Sequence, residues 1–241
     1  MSIDLENRPL PWERPALMAG VVYAIGQIAA TAYFLTVLAP HLPPLDAPQA
    51  DQAAFYTDYA AQNALVAYLY LLPVPFFLVF LGGLFGVLRR LERGIGVLSA
   101  IALGAGLAFS MVWPIGIVVA DSGQGMAQYG LQTAAVLAFD GIAQLTLALS
   151  AFPRAVLLLA ASLALLPSGA IPRSVGWAGC ALAVIGLVGT TTLLNPGIYP
   201  VLALGSLLAD IWVGVVGGIL MRRGATATVG RLEARASLAA S

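Results

Sequence analysis

Charged side chains are scarce in this chain of 241 residues: only 9% are Asp, Glu, Lys or Arg, whereas 60% of the residues are apolar. A water-soluble domain carries about 25% charged residues, so a soluble globular fold is excluded. Lysine is absent altogether, and every basic residue is an arginine. This absence excludes a lysine Schiff base and the lysine of a P-loop. The formal net charge of zero gives no reason to expect nucleic acid as a partner.

Metal ligands are equally rare, since the chain has one histidine, His41, and one cysteine, Cys180. An HExxH zinc helix, a bis-histidine haem site and an iron–sulfur cluster each need more of these residues. We therefore predict no cofactor. Catalysis would rest on aspartates, which must approach each other to act as a pair. The sequence thus favours a non-enzymatic protein.

Six apolar stretches are each long enough to cross a hydrocarbon core of ~30 Å as a helix rising 1.5 Å per residue. Their lengths and lack of alternation exclude barrel strands. The fold class predicted is all-α, a polytopic membrane bundle in residues 15–223, with a leader at 1–14, an external loop at 40–64 and a tail at 224–241. The predicted spans are 15–38, 65–88, 94–120, 144–168, 175–194 and 199–221.

The arginines predict the orientation of this bundle. With the N-terminus in the cytoplasm, the cytoplasmic segments hold ten of the eleven arginines, and the opposite loops hold none. Such a bias in short loops sets the direction of insertion, so we predict an N-in/C-in, multi-pass protein of the cytoplasmic membrane. The stretch 131–166 is too long for one span, and we predict that 131–143 lies near the outer surface and that Pro153 kinks the span.

The order of these features resembles a known family. The stretch SGAIPRSVGWAG (168–179) links spans four and five, a long acidic loop follows span one, and the segment around Asp140 and the closing ILMRR complete the pattern. Together they resemble a family of bacterial six-helix integral membrane proteins known only as an uncharacterised domain of unknown function. The resemblance implies the six-helix fold and carries no activity, cofactor or catalytic residue.

Two opposite charges are predicted at similar depth inside the membrane. Asp210 precedes Arg222 by 12 residues, and Arg154 precedes Ser168 by 14 residues, which places them about 18 Å and 21 Å from the cytoplasmic ends of their spans. Because an isolated charge at this depth is costly, we predict that they form an ion pair. The pair would be a register clamp between spans four and six or part of a path for a ligand or a proton. The remaining alternative is no contact, with Arg154 extending outward to the membrane surface and Asp210 protonated.

A second polar set is predicted in the outer half. Asp140 and Gln144 share one helix face, and Tyr23, Gln27 and Thr31 form a polar edge on span one. Such an edge lines a cavity or hydrogen-bonds to a neighbouring helix.

Small residues at four-residue spacing predict close-packed seams, either inside the bundle or between two copies of the chain. They are Gly82 and Gly86 in span two, Gly96, Ala100, Gly104 and Ala108 in span three, and Gly214 and Gly218 in span six.

Two functions are compatible with these features. The first is a non-enzymatic helical bundle that binds a lipid-soluble ligand or docks onto a partner. The alternative is a small-solute or proton-coupled transporter that uses Asp210 and Arg154, although we find no inverted repeat. The partners expected are membrane lipid and either a second copy of the chain or another membrane protein.

Overall fold

The computed structural model describes residues 12–44, 47–92, 95–128 and 133–240, and this part of the chain contains helices and no strand. The α-helices are α1 (Glu13–Tyr33), α2 (Gln49–Asp58), α3 (Ala60–Leu71), α4 (Val74–Leu91), α5 (Val97–Gln128), α6 (Thr133–Leu165), α7 (Arg173–Gly189) and α8 (Tyr199–Ala240). Short 3-10 and π-helical turns extend α1 to His41 and α7 to Leu193.

Six stretches of the described residues are long and apolar enough to cross a membrane, which confirms the predicted all-α, multi-pass fold. They are Glu13–His41, Ala60–Leu91, Val97–Ser122, Gly141–Leu165, Arg173–Leu193 and Tyr199–Arg223. Each overlaps one predicted span. The stretch predicted as a tail continues α8 as a helix to Ala240.

The second span is broken into two helices. α3 ends at Leu71 and α4 begins at Val74, with Pro73 between them. Proline has no N–H and clashes with the preceding turn, so it interrupts the helix. α1 packs directly against the break, because Gly26 has no Cβ and a Cβ there would overlap the Pro73 ring.

α5 and α6 pack extensively on each other. α6 has 33 residues, about 50 Å of helix, and this exceeds the ~30 Å core of a bilayer. Residues 133–143 are the first turns of this one helix, and 131–132 lie outside the described residues. α2, in the predicted external loop, packs against both α5 and α6.

The six spans pack in a ring that follows the order of the chain. α1 packs on α4, α4 on α5, α5 on α6, α6 on α7 and α7 on α8, and α8 closes the ring on α1. α6 also contacts α4 and α8 across the ring. Buried side chains from several helices fill the centre, among them Phe77, Phe80, Leu158 and Val213. This arrangement brings residues of α1, α5, α6 and α8 to one central point.

The predicted small-residue seams differ in what they contact. In the α1–α8 seam, a Cβ on Gly214 would lie 2.7 Å from the Cβ of Ala24, and one on Gly217 would lie 2.6 Å from the carbonyl oxygen of Leu17. On Gly82 and Gly104, by contrast, a Cβ would meet nothing within 4 Å. The seam in span six is therefore internal, whereas among the described residues the space beside those two glycines is open.

Gly96 corrects one detail of the predicted stripe in span three. It lies before α5 and has a φ of +75°, so it is not part of the helix face that Ala100 and Gly104 share. The carboxylate of Glu92 accepts hydrogen bonds from the backbone N–H groups of Leu98 and Ser99, at 2.8 and 3.0 Å. Because these N–H groups have no partner inside the helix, Glu92 caps the start of α5.

An ion pair between Glu13 and Arg90 connects the start of α1 to the end of α4. The side chain of Arg223 likewise donates a hydrogen bond to the carbonyl of Gly169, in the turn between α6 and α7. Polar contacts of this kind collect at the arginine-rich end of the bundle, where the helices leave the predicted membrane core. They connect neighbouring helices at the end opposite α2.

Candidate functional site

Arg154 of α6 and Asp210 of α8 form an ion pair in the centre of the ring. A terminal guanidinium nitrogen lies 3.7 Å from Oδ1 of the carboxylate, and each residue is only 7% exposed. The predicted contact is therefore present. Its geometry is that of one long contact rather than the paired hydrogen bonds that make arginine–carboxylate interactions strongest.

Tyr23 of α1 also contacts this carboxylate. Its hydroxyl donates a hydrogen bond of 2.8 Å to Oδ1 of Asp210, and both groups are buried. The sequence placed Tyr23 with an outer polar set, and the structure instead brings it to the central pair. Tyr23 reaches Asp210 because α1 packs directly on α8.

The guanidinium of Arg154 has two further contacts that the sequence did not reveal. One nitrogen donates a hydrogen bond of 3.1 Å to the carbonyl of Ser206, one turn before Asp210 on α8. The central carbon lies 4.1 Å from the centre of the Phe109 ring, within the range of a cation–π interaction. A phenylalanine in an apolar helix resembles any core residue, so no sequence signal distinguishes Phe109.

Aromatic rings surround the pair on its other sides. The rings of Tyr23 and Phe77 have centroids 4.8 Å apart, and those of Phe77 and Phe109 are 5.4 Å apart. These side chains exclude water from the charges and lower the local dielectric. In such surroundings each charge depends on its partner, because an unpaired buried charge is expensive.

The other two polar residues of α1 bind the broken second span. Gln27 donates a hydrogen bond of 3.1 Å from its side-chain nitrogen to the carbonyl of Tyr70. The hydroxyls of Thr31 and Tyr70 are 3.2 Å apart. Tyr70 lies just before the end of α3, where Pro73 removes a backbone donor. The polar edge of α1 therefore hydrogen-bonds to a neighbouring helix, one of the two uses that the sequence left open.

Of the predicted pair Asp140 and Gln144, only Gln144 has a described side chain, and it is not among the contacts of the central pair. Gln144 is exposed on α6, and the side chain of Asp140 lies outside the part of the chain that the structure describes. Within the described ranges, no three His, Cys, Asp or Glu side chains come close enough to hold a metal ion. His41 stacks on the ring of Tyr59, with centroids 4.8 Å apart, and Cys180 is a partly buried thiol.

Two small cavities flank Arg154, each of about 10 Å³. The first lies between α6, α7 and α8 and includes Gly186 and Ser206 in its lining. The second lies at the centre of the ring, between the pair, Phe77 and Phe109. A volume of this size holds about one water molecule. The arginine is therefore packed closely but not completely.

Comparison with known proteins finds no matching family model, curated protein or solved structure.

Proposed function

We propose that this chain is a non-enzymatic membrane protein whose six-helix bundle binds a lipid-soluble ligand at its polar centre. The observation that supports binding is the unequal number of donors and acceptors around Arg154. A guanidinium has five N–H donors, and the described residues give it one carbonyl at 3.1 Å and one carboxylate oxygen at 3.7 Å. A ligand oxygen could accept a further hydrogen bond from this guanidinium.

The contacts of Asp210 argue against catalysis by a pair of acids. Two carboxylates must lie close together for one to hold a proton while the other stays ionised. In the described part of the chain, the carboxylate of Asp210 instead contacts a tyrosine hydroxyl and an arginine. These partners stabilise the charged carboxylate and hold it in one position, as a structural or binding role requires.

Ligand retention tests this function. We expect the protein, purified in a mild detergent, to keep a lipid-soluble compound that native mass spectrometry detects as a mass above that of the polypeptide. A compound that is hydrogen-bonded to Arg154 should exchange more slowly than lipid without such a bond, so the added mass should survive extensive detergent washing. A protein that washes to its bare mass, and whose melting temperature does not respond to added membrane extract, would contradict the proposal.

A specific observation favours transport as the second candidate. Tyr23, Gln27 and Thr31 follow one another at four-residue spacing on α1, so that their polar contacts, first with Asp210 and then with Tyr70, form a row toward the end of the bundle where α2 lies. Such a row is suited to passing a proton to a buried carboxylate. If vesicles containing the protein showed a proton flux that Asp210→Asn abolished in a folded protein, the carrier function would replace the binding function.

We further propose that both termini face the cytoplasm and that the protein resides in the cytoplasmic membrane. The arginine distribution supports this orientation. The fold is compatible with it, since six spans leave both ends of the bundle on one side.

Cysteine labelling tests the orientation. In a Cys180→Ser background, we expect a membrane-impermeant maleimide added to intact cells to label Ala54→Cys and to leave Ser174→Cys unlabelled. Both positions are exposed, one on α2 and one at the start of α7, so access to the reagent decides the result. Ser174→Cys should react once the cells are opened. The reverse pattern in intact cells would contradict the proposed orientation.

A further inference from the structure

The cavity between α6, α7 and α8 has a wall made mostly of small residues. Ala151 and Ala155 contribute from α6, Gly186 from α7 and Gly205 from α8, and Arg154 supplies the one charge of the lining. Small side chains leave the space in front of the guanidinium open. The cavity is therefore a place where a group from outside could reach Arg154 without displacing a large side chain.

The charge of this site selects the kind of group that it accepts. Asp210 already balances the charge of Arg154, at 3.7 Å. An anionic ligand would add a second negative charge to a water-poor centre, which is unfavourable in a low dielectric. An uncharged oxygen acceptor adds no charge and can still accept a hydrogen bond from the guanidinium. A ketone, quinone, ester or amide carbonyl has this chemistry.

The cavity is suited to an oxygen atom rather than to a whole ligand. Its volume of about 10 Å³ is just enough to hold one water molecule. The remainder of a bound molecule must therefore lie on the surface of the bundle, in contact with lipid. This requirement favours a molecule with an apolar chain and a carbonyl group.

Gly186 marks the point where such a molecule could enter. It is partly exposed on α7, and a Cβ built there has its nearest contact, on Ala155, 3.8 Å away. α6 and α8 pack on α7 more extensively than on each other. On the α7 side, Gly186 therefore covers the cavity without a side chain of its own.

We propose that this cavity binds the carbonyl oxygen of an uncharged, lipid-soluble molecule, which enters from the bilayer beside Gly186 and accepts hydrogen bonds from Arg154. The proposal rests on the ligand-binding function above, and it specifies the chemical group of the ligand and the cavity where that group binds. Water is the competing occupant of the cavity, and the experiment below separates the two.

The test compares two probes that differ in one carbonyl group, 2-dodecanone and dodecane. We expect the ketone to raise the melting temperature of the washed protein in lipid nanodiscs in a saturable manner, and the alkane to have no saturable effect. Gly186→Val places a side chain over the cavity and should weaken the apparent affinity for the ketone by at least about tenfold, the loss expected for one charge-assisted hydrogen bond.

Gly82→Val is the matched control, because a Cβ on either glycine has no contact closer than 3.8 Å and α4 does not line this cavity. It should bind the ketone as the unmodified protein does. If Gly186→Val fails to elute as a folded monodisperse protein, Gly186→Ala replaces it and should show a smaller loss of the same sign.

The outcomes distinguish this inference from the function on which it rests. Equal effects of ketone and alkane, or ketone binding unchanged by filling position 186, would overturn the carbonyl site. If the Gly186→Val protein still retained its cellular ligand, the ligand would bind elsewhere in the bundle. The proposed cavity would then be wrong, and the ligand-binding function would stand. If the unmodified protein retained no ligand, the binding function itself would fail.

Discussion

Replacing Arg154 with methionine is expected to destabilise the folded bundle by about 3–5 kcal/mol, because it leaves Asp210 as an unpaired charge in the centre of the ring. Asp210 is 7% exposed, and its carboxylate would keep one hydrogen bond, from Tyr23. Methionine fills a similar volume, so the loss of charge rather than a cavity causes the effect. Unfolding in mixed micelles, followed as a function of denaturing detergent, measures it.

The double variant Arg154→Met/Asp210→Asn separates charge pairing from packing. Asparagine keeps an oxygen that can accept the hydrogen bond from Tyr23, so the double variant carries no buried charge and loses little packing. We expect it to recover most of the stability that Arg154→Met loses, as it should for two residues whose effects are coupled.

Arg173→Met is the matched control for this series. Arg173 is an exposed arginine at the start of α7, and its replacement should change stability by less than about 0.5 kcal/mol. A loss for Arg154→Met no larger than that of the control would show that the central pair contributes nothing to the fold. A double variant less stable than either single variant would show that the two residues act independently.

The central pair was predictable because its two members break an otherwise apolar pattern. Arg154 and Asp210 are charges within long hydrophobic stretches, and counting residues from the arginine-rich ends placed them at similar depth. Depth along a helix follows from the fixed rise per residue. The cost of isolated charges in a membrane then made their contact the favoured solution.

The partners of the pair could not be predicted in the same way. The contacts of Tyr23 with Asp210, and of Phe109 with Arg154, depend on which helices are neighbours and on how each is rotated about its axis. Hydrophobicity sets the rotation of a helix poorly in a membrane, since lipid and protein interior are both apolar. The ring order therefore had to be observed before these contacts could be identified.

The contacts of the small-residue stripes likewise could not be predicted from the sequence. Gly82, Gly104 and Gly214 occur in similar patterns, but a Cβ would overlap a neighbouring helix only at Gly214. Spacing alone identifies a face that permits close approach, and it does not reveal whether another helix is present. Across α1 and α8 the close approach also involves Gly217, which stands outside the predicted four-residue repeat.

Gly217→Ala is therefore expected to destabilise the bundle, by about 1–3 kcal/mol as overpacking does in a close-packed core. The added Cβ would lie 2.6 Å from the carbonyl oxygen of Leu17, which is backbone and cannot rotate away as a side chain would. α1 and α8 would have to separate, and the hydrogen bond from Tyr23 to Asp210, at 2.8 Å, would lengthen with them.

The adjacent glycine supplies a control that differs in geometry and not in chemistry. A Cβ on Gly218 would have its nearest contact 3.8 Å away, on a side-chain methyl of Val21, an ordinary van der Waals distance. Gly218→Ala should therefore leave stability unchanged or raise it by up to about 1 kcal/mol, since alanine favours helix more than glycine. Equal melting temperatures for the two variants would contradict the close α1–α8 seam. A loss for Gly217→Ala that persists when Asp210 is asparagine would show that backbone contact, and not the polar centre, limits how closely α1 and α8 approach.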